Sequence, residues 1–211
     1  LWVENLKSVG WNVESLEIMI VQQPNKILEA KPKMIFAVEK DKSLAQILKR
    51  DVKNFKNIKI INDDIFNIIK ENRLGNNIIV FGNLPYNVST KILADLILLK
   101  SWPPWYKSLT LMFQKEVADR ILAKTKNKTF GRLAVLCNWR MEIKKNFDVS
   151  KNCFQPRPNV DSTVLSFSPK KKYKYNIKNP ENLEAVTRVL FSNRRKMINK
   201  NFNKLFGSNS F

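Results

Sequence analysis

The residues best suited to chemistry in this chain are Phe81-Gly82-Asn83-Leu84-Pro85-Tyr86-Asn87. An amide, a proline and a tyrosine at this spacing suit one demanding task, alkylation of an exocyclic amino group on a base. The N6 lone pair of adenine is delocalised into the ring and is a poor nucleophile. Two acceptors for its two N–H bonds would draw the nitrogen toward tetrahedral geometry and free the lone pair. The side-chain oxygen of Asn83 is one such acceptor. A backbone carbonyl, most simply that of Pro85, is the other. Pro85 fixes its own φ and stiffens the turn that aims the carbonyl. Tyr86 can stack on a base held out of its helix, as base-flipping enzymes require. The same residue types also make ordinary strand-to-helix turns. The apolar run Ile78-Ile79-Val80-Phe81 just before them favours the chemical reading, because open α/β sheets bind ligands at the carboxyl ends of their strands.

Other strand ends carry polar residues too. The run 34–38 ends at Glu39, the run 58–61 ends at Asn62-Asp63-Asp64, and the run 109–113 ends at Gln114-Lys115-Glu116. An acidic residue after one such strand suits a ribose diol, and a carboxylate after the next can accept from an adenine amino group. Together these ends point to a nucleoside-containing cofactor. Between the strands lie helical patterns. Leu44, Ile47, Leu48, Val52 and Phe55 recur on one side of a helix. A second helix spans 89–99, with Ser89 or Thr90 as its N-cap. A third spans 115–123, with Lys115 and Asp119 paired at i,i+4. Runs 141–149 and 162–167 read as a late strand pair, and from 179 the pattern turns helical again. Apolar strands separated by helices predict a mainly parallel sheet covered on both faces.

Composition limits the alternatives. The 211 residues contain 38 Lys plus Arg and 18 Asp plus Glu, a net charge of +20, with no histidine, five glycines and two cysteines. Without histidine there is no Ser-His or Cys-His nucleophile pair and no histidine metal site. The glycines spell neither a dinucleotide fingerprint nor a Walker loop. Cys137 and Cys153 have no further partners for a zinc ribbon, and no metal is expected. Most of the charge lies late in the chain: residues 1–105 carry a net +4 and residues 106–211 a net +16. Lys170, Lys171, Lys172, Lys174 and Lys178 form one basic run, and Arg188, Arg194, Arg195, Lys196, Lys200 and Lys204 another. Such an asymmetry predicts salt-sensitive binding to a polyanion, nucleic acid above all. No apolar stretch reaches the roughly 18–20 residues of a membrane span, and the start is not a signal peptide. A cytoplasmic protein without a membrane partner is expected.

The chain resembles the small-subunit ribosomal RNA adenine N6,N6-dimethyltransferases in a series of ordered blocks. These are Phe36-Ala37-Val38-Glu39-Lys40-Asp41, Asn62-Asp63-Asp64-Ile65, the segment from Phe81 to Thr90, Met112 to Arg120 with Phe130 to Val135, Phe154 to Ser162, and Phe191 to Lys196. The resemblance implies a Rossmann-like class I S-adenosylmethionine-dependent methyltransferase sheet (residues 1–175) and the start of a truncated C-terminal helical RNA-binding domain (176–211). It implies methyl transfer from S-adenosylmethionine to two adjacent adenosines in a small-subunit rRNA 3′-terminal hairpin loop, on the immature small ribosomal subunit, by a monomer. It places Asn83, Leu84, Pro85 and Tyr86 in the catalytic segment. Glu39, Asp64, Ile65 and Asn83 are assigned to the cofactor, with Glu39 on the ribose hydroxyls and Asp64 on the adenine amino group. Tyr86 and Phe154 are assigned to stacking on the target base, and Arg194, Arg195 and Lys196 to RNA. A non-catalytic rRNA-binding assembly factor and a large-subunit rRNA methylase are the alternatives.

One departure stands out. The family's first strand runs into Glu-Ile-Gly-Pro-Gly-x-Gly, which cradles the methionine part of the cofactor. Here Glu17-Ile18 is followed by Met19-Ile20-Val21-Gln22-Gln23, with bulky side chains where glycine allows close approach. The chain reads as a fragment with a corrupted stretch ahead of Glu29; the alternative is a homologue that has lost cofactor binding.

Overall fold

The computed structural model describes residues 31–192, 201–203 and 205, together with the backbone of one strand at 17–21. In chain order the strands are β1 (Glu17–Val21), β2 (Met34–Glu39), β3 (Ile58–Asn62), β4 (Ile78–Asn83), β5 (Tyr106–Gln114), β6 (Met141–Val149) and β7 (Ser162–Pro169). The helices are α1 (Lys42–Asp51), α2 (Ile65–Glu71), α3 (Tyr86–Ile97), α4 (Lys115–Leu122), α5 (Arg132–Arg140) and α6 (Pro180–Leu190). One seven-stranded sheet has the order β3-β2-β1-β4-β5-β7-β6. The first five strands are parallel, and β7 runs antiparallel between β5 and β6.

The sequence explains the layout. Ile78, Ile79, Val80 and Phe81 of β4 are all buried, as a central strand covered on both faces must be. Leu93, Leu96 and Ile97 of α3, Leu109, Leu111 and Phe113 of β5, and Ala118 and Ile121 of α4 complete the core around it. At the sheet's edge α1 packs on β2 and β3. Val52 is buried and Leu48 half-buried, as the expected face has them, but Ala45 takes the inward place expected of Leu44 and Ile47; Leu44, Ile47 and Phe55 are exposed. The helix ends at Asp51, so Phe55 lies beyond it.

Two further expectations are corrected. Helix α3 starts at Tyr86, with Pro85 in the capping position and no side-chain cap. Ser89 lies inside the helix, where its hydroxyl donates to the Tyr86 carbonyl at 3.1 Å. The strand therefore passes into the helix through Leu84 and Pro85 alone. Lys115 does not pair with Asp119; its ammonium sits 3.2 Å from Asp148 on β6, the nearer carboxylate in three dimensions.

Arg140 plugs the end of the sheet opposite the motif. The residue is 2% exposed. Its Nη1 donates to the carbonyls of Ile97 (3.3 Å) and Leu99 (2.8 Å), at the C-terminus of α3. Its guanidinium lies 3.9 Å from the Trp139 ring centroid, 4.7 Å from Trp102 and 5.5 Å from Tyr173. A cation at a helix C-terminus is favourable, and ring faces replace part of the lost hydration. Burial pushes its pKa below the usual arginine value. Lysine has neither the planar fork nor the stacking surface. Arg140→Lys is therefore expected to cost about 1–2 kcal/mol, read as a lower urea midpoint with an unchanged slope.

Candidate active site

The strand register builds the site. Val21 lies opposite both Val38 and Gly82, Glu39 opposite Asn62, and Asn83 opposite Met112. The carboxyl ends of the parallel strands thus form one rim. Chain order reverses between β1 and β4, where such sheets open a ligand crevice. The sequence-predicted residues Glu39, Asp64, Ile65, Asn83, Leu84, Pro85 and Tyr86 all fall on or beside this rim. Arg194, Arg195 and Lys196 lie outside the described residues, as does the stretch 22–30 that follows β1. Met19, Ile20 and Val21, read from sequence as loop positions, are strand residues of β1.

Glu39 is half-buried at the end of β2, and its Oε1 accepts from the Asp41 N–H at 2.8 Å. Asn62, which sequence reasoning passed over, laces two strand ends together. Its Nδ2 donates to the carbonyls of Glu39 (2.9 Å) and Lys40 (3.0 Å). Asp64 has structural duties: it caps α2 by accepting from Phe66 N–H at 3.0 Å, and it pairs with Lys40 at 2.9 Å. Lys40, then the Phe66 N–H, hold its pKa below the ordinary value. Asp63 is occupied by Asn67, Arg73 and the Asp64 N–H. Ile65 opens α2 and packs partly buried against the core.

The motif itself is arranged more sharply than its sequence indicates. Asn83 ends β4 half-buried, and its side-chain amide hydrogen-bonds to no described residue. The Pro85 carbonyl is already used: it accepts from Val88 N–H at 3.1 Å and Ser89 N–H at 3.0 Å. It points into the first turn of α3, which corrects its assignment as the second acceptor. The Leu84 carbonyl, by contrast, accepts no hydrogen bond from a described residue. The Leu84 side chain is 2% exposed and belongs to the core, so only its backbone can face a ligand. Tyr86 is half-buried, and its hydroxyl lies 2.7 Å from Ser162 Oγ.

Phe154 sits half-buried on the loop between β6 and β7, just after a short 3₁₀ turn at Lys151–Cys153. A cavity of about 390 Å³ opens beside this loop, between Gln114, Lys115, Glu116, Lys151, Asn159 and Asp161. A larger one, about 590 Å³, lies beyond the other end of β7 among Phe130, Trp139, Lys170, Lys174, Tyr175 and Leu183. It is no part of the strand-end rim.

Asp148 fastens the base of the Phe154 loop. It accepts from Lys145 (2.8 Å), Thr163 (2.6 Å) and Lys115 (3.2 Å). The Lys145 contact first, then the Thr163 hydroxyl, hold its pKa far below the unfolded value of 3.8. A carboxylate depressed on folding stabilises above its unfolded pKa, and that stability is lost as pH falls through the folded value. Asp148→Asn should therefore lower the melting temperature at neutral pH, and the gap to wild type should begin to narrow only below about pH 4 and close as pH falls on toward the depressed folded value. Thermal scans from pH 7 down to about pH 1.5 check this; a gap that stays constant to the acid end would reject the ion-pair account.

Five parallel strands, an inserted antiparallel β7 and ligand-ready groups along the strand-end rim define a class I S-adenosylmethionine-dependent methyltransferase fold. Within that class the chain belongs to the ribosomal RNA adenine dimethylase family, whose model matches residues 22–210. Strand β1 precedes the matched stretch. A ribosomal RNA small subunit methyltransferase A from Pelagibacter ubique (strain HTCC1062) is 48% identical over 180 residues, covering 85% of this chain and 68% of that protein. One of the same name from Rhizobium etli (strain CIAT 652) is 46% identical over 133 residues, 61% of this chain and 46% of that protein. The chain thus spans between just under half and about two thirds of these two relatives. A dimethyladenosine transferase from Plasmodium falciparum superposes with a TM-score of 0.71 at 21% identity, covering 98% of this chain and 74% of that one. Among the described residues no helix is long and apolar enough to cross a membrane, and no group of three or more His, Cys, Asp or Glu could hold a metal.

Proposed function

We propose that the protein transfers methyl groups from S-adenosylmethionine to N6 of two adjacent adenosines in a small-subunit rRNA hairpin loop, in the cytoplasm. The observation that carries this reading is a pair of acceptors at 83 and 84, the Asn83 amide and the Leu84 carbonyl, that take no hydrogen bond from a described residue and lie between a strand end and a tyrosine. The names of the relatives, small subunit methyltransferase A, favour the small subunit over the large-subunit alternative.

The donor's adenosine half fits the residues present. The second carboxylate oxygen of Glu39 accepts from no described residue and can take ribose hydroxyls, and Asp64 retains lone pairs for an amino group. Ile65 would flank the adenine ring. The residues that would meet the methionine half follow β1, outside the described residues. The cofactor supplies an electrophilic methyl group on sulfonium sulfur; the rest is done by this chain. Asn83 Oδ1 and Leu84 O each accept one N6–H and pull the nitrogen out of conjugation. Tyr86 and Phe154 hold the base by stacking. The nitrogen acidifies once methylated and loses its proton to water, so no histidine is needed. After the first transfer one N–H remains, and either acceptor can hold it for the second. Arg194, Arg195 and Lys196 would meet rRNA phosphates, as would the basic run 170–178. A domain boundary near 175 fits the irregular connection that leads into α6 at Pro180.

Undermethylated small subunits, labelled donor and this protein test the reading. Label in N6,N6-dimethyladenosine is expected, and its absence would reject catalysis by this chain. A second reading, an rRNA-binding assembly factor without catalysis, is favoured by the glycine-free stretch 19–23. Calorimetric titration with S-adenosylhomocysteine separates the two: tight binding excludes the second.

A further inference from the structure

We propose that Ser162 is a positioning residue for capture of the target base, acting through Tyr86 and fixing that ring relative to the loop that carries Phe154. The proposal rests on the function proposed above, with Tyr86 as one wall of the base site.

Tyr86 is the first residue of α3 and follows an exposed proline. A tyrosine there has two free side-chain torsions, and its ring must be held at one angle to act as a stacking wall. What holds it is the 2.7 Å hydrogen bond between its hydroxyl and Ser162 Oγ. Ser162 is well suited to act as an anchor. It is 0% exposed. As the first residue of β7 it is registered against Gln114 of β5 on one side and Val149 of β6 on the other. Its backbone is therefore fixed from both flanks.

The same point is the neck of the Phe154 loop. Val149 and Ser162 form the last strand pair before the loop. Next to Ser162, Asp161 closes the loop: its Oδ1 accepts from Lys151 N–H at 2.9 Å, and its backbone carbonyl accepts from Lys115 N–H at 2.9 Å. Thr163 on the other side is tied to Asp148 at 2.6 Å. Three consecutive residues, 161 to 163, thus lock the loop, α4 and β6 together. The middle one reaches across 76 positions of sequence to the catalytic motif. Ser162 touches no reacting atom; its effect passes through the tyrosine. A purely structural hydroxyl pair would affect stability alone, whereas a positioning pair sets the stacking geometry on which orientation of the amino group depends.

The test is a double-mutant cycle on Ser162→Ala and Tyr86→Phe, which remove the two ends of one hydrogen bond. The readouts are thermal unfolding, affinity for S-adenosylhomocysteine, methyl transfer to undermethylated subunits, and 2-aminopurine fluorescence in a hairpin RNA with that base at one target adenosine. Each single variant is expected to lose about ten-fold in kcat/KM and most of the 2-aminopurine rise on binding, with cofactor affinity unchanged. The double variant should be no worse than either single one, and Ser162→Thr should recover part of the loss. Additive losses, or a lowered melting temperature with unchanged kcat/KM and fluorescence, would overturn the proposal. A wild-type protein inactive in both RNA assays would instead overturn the functional reading beneath it, which keeps the two failures distinct.

Discussion

Replacing Asn83 with alanine is expected to cut methyl transfer about 10²–10³-fold and leave the fold intact. The amide ends β4 half-buried and hydrogen-bonds to no described residue, so truncation strands no partner and opens no void in the core. Its loss removes one of the two acceptors that rehybridise the amino nitrogen. An acceptor that acts on the transition state shows its absence in kcat; loss of one preorganised partner typically costs about 10²–10³-fold. The unmethylated amine is then poorly turned toward the donor, because the Leu84 carbonyl holds only one of its two N–H bonds and the lone pair stays largely conjugated with the ring. Initial rates of label incorporation, with thermal unfolding beside them, check this. An Asn83→Ala protein that melts like wild type and still methylates within a few-fold would remove Asn83 from the mechanism.

That residue was legible from sequence because a short motif concentrates local information: a strand, an amide, a turn and a ring within seven positions. The parallel strands were equally legible, since a buried strand such as Ile78–Asn83 reads as a continuous apolar run. What sequence did not show was direction. Pro85 was the natural source of the second acceptor, but a residue in the capping position gives its carbonyl to the helix, as Val88 and Ser89 show. The carbonyl that accepts from no described residue is one position earlier, on a leucine whose side chain is buried. Long-range partners were hidden for a different reason. Ser162 lies 76 positions from Tyr86, and Asp148 lies 33 from Lys115. Nothing in local spacing pairs them. The sequence suggested Lys115 with Asp119, the helical neighbour, and tertiary placement of β6 prevailed. The sequence assigns Asn62 no role of its own, because an asparagine at a strand end is ordinary until its amide is seen to bridge two backbone carbonyls.

Gly82→Ala should damage stability and activity together, because packing and chemistry meet at that position. Gly82 lies between Val21 of β1 and Leu111 of β5 in register. A Cβ there would come within 2.7 Å of Leu84 Cδ2, 2.9 Å of Leu111 Cδ2 and 3.0 Å of Leu84 Cγ. Both leucines are buried, at 2% and 0% exposure, so neither can relieve the contact by turning out into solvent. Overpacking of this kind costs about 1–3 kcal/mol. Of the two, Leu84 has the softer surroundings: it lies between the last strand residue and Pro85, whereas Leu111 is held inside β5. The strain should therefore shift the backbone at 83 and 84, where the two acceptors are. A displacement of about 1 Å can cost roughly a hundred-fold in rate. Leu84→Ala added to Gly82→Ala deletes two of the three close contacts. It should restore much of the melting temperature lost to the first change, more than the single effects predict. Activity should stay low in the double variant, because the side chain that seats the 84 carbonyl is gone. A Gly82→Ala protein with wild-type melting and wild-type rate would show that the motif tolerates a wider turn than this packing allows. Recovery of stability and rate together in the double variant would show that the carbonyl is placed by Pro85 rather than by the leucine beneath it.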